Sequence, residues 1–177
     1  MPKLDELVGA GARVIANRAA NSGAAVIGAT ASAFTTTAAI AYTIDGVYRS
    51  LAAQTNTALA PLTAADLPSA LASYLQPSGL AGFYVQPANT TVYYVLCVNA
   101  AGAVRVVQGL WLGQQLLTAG QGPVGQGDVP NIPDGVAPFA ILKVVSGGSA
   151  FTPGTTALTG IGTFVNVEYL PVADRPF

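Results

Sequence analysis

Ile40-Ala-Tyr-Thr-Ile-Asp-Gly-Val-Tyr-Arg-Ser-Leu51 is the stretch on which the reading of the fold turns. Ile40, Tyr42 and Ile44 alternate with Ala39, Ala41 and Thr43, the period of a strand with one buried face. Asp45-Gly46 follows. That dipeptide between apolar runs is a strong hairpin signal, because a type I′ turn needs φ > 0 and glycine supplies it. Val47 to Leu51 then returns as the partner strand.

Outward from this hairpin the β pattern continues. Residues from Ala24 onward carry it on the N-terminal side. Thr91 to Asn99 is rich in Val and Tyr, with Val92, Tyr94, Leu96 and Val98 on one face and Tyr93, Val95 and Cys97 on the other. A strand apolar on both faces is buried on both. Asn99-Ala-Ala-Gly102 reads as a four-residue turn, with Ala103 to Gln108 pairing back. Phe139 to Val145 is a strand, Gly147-Gly148 a turn, and Phe164 to Leu170 a further strand with Val165, Val167 and Tyr169 inward. Between them, residues 113–135 are dense in glycine and proline and read as a long loop. Short strands separated by Gly/Pro turns predict a mainly β fold, an antiparallel sandwich or barrel.

Two helices are expected beside it. Over 3–20, Leu4, Leu7, Val8, Ala12, Ile15 and Ala19 follow the helical period, and Asn21-Ser22-Gly23 is a stop. This segment holds five of the chain's charges, Lys3, Asp5, Glu6, Arg13 and Arg18. That composition shift predicts an N-terminal helical arm over 1–23 and a β-rich domain over 24–177. Residues 66–75 form the short internal helix, capped by Asp66, with Leu67, Leu71 and Leu75 on one face. With the polar loop from Gln54 to Leu62, it could subdivide the β-rich domain near 61–80.

The 177 residues are 51% hydrophobic and only 8% charged, with no histidine and a formal net charge of −1. Soluble chains average roughly 25% charged residues. A lone domain keeps soluble through a charged, mixed surface, so this chain belongs either in a membrane or against other subunits. Residues 19–44 and 67–104 carry no charge. Their threonines, asparagines and prolines suit neither a spanning helix nor the satisfied backbone that lipid demands. Assembly is the reading that remains, because neutral Ala, Thr, Asn and Gln surfaces are buried at low desolvation cost. The scattered Lys and Arg offer no nucleic-acid footprint. Asp5, Glu6 and Arg13 spoil a secretory signal, and the single cysteine, Cys97, permits no internal disulfide, which fits the cytoplasm.

Catalytic signals are sparse. The absence of histidine removes the commonest general base and metal ligand. Cys97 sits mid-strand among apolar neighbours, the setting of a structural thiol. Asp128, Asn131 and Asp134 could supply oxygen ligands to a hard cation, and the carboxylates Asp128 and Asp134 could act on a cell-wall polymer. The preferred reading is turn formation, since the calcium-loop pattern with its closing Glu is absent. No metal and no cofactor are expected. Phe83, Tyr93, Tyr94 and Trp111 could form a glycan-binding aromatic surface, although aromatic residues in strands more often serve as core or interface. Leu7, Val8, Ile15, Tyr93, Val95 and Trp111 are the interface candidates.

Three stretches carry a resemblance. FTTTAAIAYTIDGVYRSLAAQTN (34–56), VPNIPDGVAPFAILKV (129–144) and VNVEYLPV (165–172) resemble segments of virion structural proteins of tailed bacteriophages. The resemblance covers about a quarter of the chain and brings no catalytic residues. It implies a non-enzymatic capsid decoration (cement) protein or head fibre on the capsid surface, made in the host cytoplasm. Its implied partners are the major capsid protein and its own copies, with a trimer as the expected closed oligomer. The alternative is a tail-fibre or receptor-binding component that takes a glycan.

Overall fold

A computed structural model describes residues 17–30, 33–66, 85–109, 132 and 135–165. The described chain is mainly β, in three antiparallel sheets. The strands are β1 (Arg18–Ala19), β2 (Ala25–Ile27), β3 (Ala33–Thr36), β4 (Ile40–Ile44), β5 (Val47–Leu51), β6 (Thr57–Ala58), β7 (Thr91–Asn99), β8 (Val104–Gln108), β9 (Val136–Val145) and β10 (Gly162–Val165). The large sheet has the order β10-β9-β7-β8, and the small sheets run β1-β4-β5 and β2-β3-β6. Among the described residues no helix is long and apolar enough to cross a membrane.

The hairpin forms where its sequence places it. Ile40 pairs with Leu51 and Ile44 with Val47, so Asp45 and Gly46 are the two turn residues. Their φ values of 50° and 76° are those of a type I′ turn. Ile40, Tyr42 and Ile44 are buried, and Ala41 and Thr43 half-buried, as the alternation requires. A Cβ at position 46 would meet nothing within 4 Å, so only backbone strain opposes a side chain there. Gly46→Ala is therefore expected to cost about 1–2 kcal/mol. Urea denaturation measures it, and an unchanged midpoint would contradict the turn assignment.

β7 is the axis of the molecule. Its even-numbered face places Val92, Tyr94 and Leu96 in a core with Phe34, Ile40, Phe139, Leu142, Val144 and Phe151. Val98 continues that face against Tyr42, Ile44 and Ala137. The two small sheets thus send their apolar residues to the same side of the large one. Aromatic pairs lie within this layer, Phe34 to Phe139 at 6.2 Å and Tyr94 to Phe151 at 6.1 Å, the latter edge-on. On the odd-numbered face, Val95 and Cys97 pack with Leu62, Val107, Ile132, Val136 and Ile141. The expectation of burial on both faces holds, because residues of the loops before β7 and β9 cover the second face.

β9 begins three residues before Phe139, where the sequence pattern starts the strand. Leu96 pairs with Ala140 but Cys97 with Pro138, so Phe139 is an extra residue in β9. This bulge lets a residue without an N–H sit inside a strand, since β10 flanks only Ile141–Val144 on the other side. It also reverses the side-chain alternation. Phe139 and Ala140 both face the main core, while Val136 and Ile141 both face the second one.

Other boundaries move as well. The helix expected over 3–20 lies mostly outside the described residues, but its end is extended: Arg18 and Ala19 pair with Thr43 and Tyr42 of β4. The β-structure therefore starts before residue 23, because Ala20 N–H donates to Ala41 O at 2.7 Å and draws the chain along β4. The expected loop 54–62 contains β6, whose Ala58 and Thr57 pair with Ala33 and Phe34. Gly147-Gly148 opens a long crossing segment rather than a tight turn, and β10 starts at Gly162 instead of Phe164. Of the expected internal helix 66–75, only Asp66 falls among the described residues, where it ends a 3-10 turn over Ala64–Asp66.

Candidate functional site

Of the interface candidates, Leu7, Val8, Ile15 and Trp111 lie outside the described residues, as do Phe83 and the oxygen-donor set Asp128, Asn131 and Asp134. Tyr93 is half-buried on β7, opposite Lys143 of β9. Val95 is fully buried inside the chain, because Leu62 and Ile132 close the face on which a neighbour was expected. Tyr94 is likewise fully buried and forms no part of an aromatic surface. Among the described residues no three His, Cys, Asp or Glu side chains gather to hold a metal ion.

Two polar clusters were not legible as such in the sequence. The first centres on Gln86, which is fully buried. Its Nε2 donates to Thr90 O at 2.9 Å and to Val144 O at 3.1 Å, and its Oε1 accepts from the Tyr94 hydroxyl at 3.1 Å. Gln86 and Phe151 exchange backbone hydrogen bonds at 2.8 and 2.9 Å. Ser146 Oγ donates to Pro87 O at 2.6 Å and accepts from Thr90 N–H at 3.0 Å. Burial pushes the Tyr94 phenol above its ordinary value, so it stays a neutral donor. The cluster fastens segment 85–90 and segment 146–151 to one end of the large sheet.

The second centres on Asp66, whose side chain is 3% exposed. Oδ2 accepts from Thr63 N–H at 2.8 Å, Thr63 Oγ1 at 2.6 Å and Arg105 Nε at 2.7 Å. Oδ1 accepts from Asn99 Nδ2 at 2.6 Å. Asn99 Oδ1 in turn accepts from Ala101 and Ala103 N–H. Asp66 thus reaches back to Thr63 from the third position of the turn, in the manner of a capping box; the helix it was expected to cap lies outside the described residues. Burial alone raises its carboxyl, but the hydrogen bonds from Thr63, Arg105 and Asn99 together outweigh it and hold it below the ordinary value. Four donors converge on the carboxylate, so the cluster staples a loop to the β7–β8 hairpin.

Among the described residues the outer edge of β5 stays open. The outer edge of β8 is closed by residues 60–62, since Val106 N–H donates to Ala60 O and Leu62 N–H to Val106 O. β5 ends its sheet, and among the described residues nothing pairs with its outer edge. It carries Tyr48, 71% exposed, and Val47, 51% exposed. Arg49 beside them has a buried Nε without a hydrogen-bond partner among the described residues. The hairpin pattern implied Tyr48 on the solvent face. It said nothing of the edge, which depends on how many strands join the sheet. The chain matches no known family model, no curated protein and no solved structure.

Proposed function

We propose that this protein is a non-enzymatic structural component of a tailed-bacteriophage particle, seated on the capsid surface and stabilising it. Its partners in this reading are the major capsid protein and its own copies. The observation that carries it is the open β5 edge with Tyr48 and Val47 exposed, on a chain in which only 8% of residues are charged. Proteins that stay monomeric blunt such edges with charge, proline or a covering segment, and exposed apolar groups on an edge mark a surface meant to be covered. The finer architecture belongs to the same proposal: a β-sandwich with two small sheets against the large one, preceded by a helical arm.

Mixing full-length protein with purified shells that lack it tests this. It is expected to pellet with the shells at a fixed, saturable ratio. Protein that remains in the supernatant at every concentration overturns the reading. Tyr48, exposed and aromatic, favours the second reading of a receptor- or glycan-binding tail component. Glycan binding together with failure to pellet with shells would select it.

A further inference from the structure

We infer that two copies of this chain join through their β5 strands, paired antiparallel about a two-fold axis at Tyr48. The inference goes beyond the virion proposal and holds for whatever particle the protein serves.

The backbone sets the first condition. In a hairpin closed by Ile44 and Val47, alternate residues of β5 bond to β4. Val47, Arg49 and Leu51 therefore turn their N–H and C=O inward, and Tyr48 and Ser50 turn theirs outward. An edge of this kind is a template for another strand, and identical edges satisfy one another in an isologous contact.

Side-chain chemistry then selects the register. With Tyr48 opposite Tyr48 of the second copy, the two exchange a reciprocal pair of backbone hydrogen bonds, and their rings meet on the outer face. Val47 lies opposite the second copy's Arg49, whose aliphatic stem covers it. Arg49 of the second copy then lies beside the turn that carries Asp45, within reach of a long side chain. Asp45 is exposed and makes no ion pair among the described residues. The two-fold axis forms this Arg49–Asp45 contact twice.

Neighbouring registers fail on the same grounds. Centring on Arg49 sets like charges directly opposite, which is destabilising. Centring on Ser50 brings no carboxylate near Arg49. Centring on Val47 rests the outward hydrogen bonds on Gly46, whose φ of 76° takes it out of extended backbone.

Light scattering of the full-length protein across a concentration series should give a mass of two chains or an even multiple. Tyr48→Pro removes an outward N–H and spares the ladder to β4. It is expected to weaken association about tenfold or more while the far-ultraviolet spectrum stays β-type. Should that variant not fold, Val47→Cys and Arg49→Cys proteins, mixed and oxidised, must form a disulfide dimer that neither forms alone. A monomer or an odd-numbered oligomer at all concentrations overturns the proposal, as does association indifferent to Tyr48→Pro, or the absence of the mixed disulfide. Shell binding by a protein that fails these tests would leave the virion proposal standing and remove only this contact.

Discussion

Gln86→Met is expected to destabilise the protein by about 3 kcal/mol with little change in packed volume. The substitution keeps an unbranched side chain of similar length, so the loss is not that of a cavity. It removes the donor to Thr90 O and Val144 O and the acceptor for the Tyr94 hydroxyl. These groups lie around a fully buried side chain, and each group left without a partner costs about 1–3 kcal/mol. Tyr94→Phe removes the bond to Gln86 and the one its hydroxyl accepts from Gln108 Nε2 at 3.3 Å, and is expected to cost about 1–2 kcal/mol. The double variant should lose less than the sum, since the Gln86–Tyr94 bond is counted in both singles. Chemical denaturation of the four proteins measures the coupling. Strictly additive losses would show that the two residues act separately.

Asp66→Ala is expected to cost about 3 kcal/mol at neutral pH, the lower end for breaking a buried charged pair. The low end applies because the Arg105 side chain is 26% exposed and regains water, whereas Asn99 and Thr63 lose their acceptor. The pH dependence has a definite sign. The folded carboxyl titrates below its unfolded value, so its contribution is full above about pH 4 and is lost as pH falls through the folded value. The stability gap between wild type and Asp66→Ala should therefore narrow in acid. A gap constant from neutral pH to well below about pH 4 would show that the carboxylate charge contributes nothing.

Local signals were legible where one short segment held all the information. Asp45-Gly46 specifies its turn through the φ angles that glycine and aspartate tolerate, and alternation over Ile40–Ile44 specifies which side chains are buried. The apolar character of Thr91–Asn99 on both faces likewise announced a central strand. Boundaries were less legible where pairing overrode propensity. The strand expected from Phe139 begins at Val136, because the bulge opposite Cys97 admits Pro138. Arg18 and Ala19 fitted a helical period, yet β4 offered them a partner.

The candidate site was the least legible part. Gln86 lies five residues before β7, and nothing in its own segment indicates that Val144 O lies within reach. Asp66 and Arg105 are far apart in sequence and meet only because β8 returns beside β7. Val95 looked like a contact for a neighbour until the fold supplied Leu62 and Ile132 to cover it.

By itself, the sequence determined a mainly β chain, a type I′ hairpin at Asp45-Gly46 and a centre at residues 91–99, because alternation and turn chemistry act over a few residues. Tertiary structure decided which edges close. β8 is sealed by residues 60–62 and, among the described residues, β5 is left open, because backbone hydrogen bonds between strands join residues that no local pattern connects.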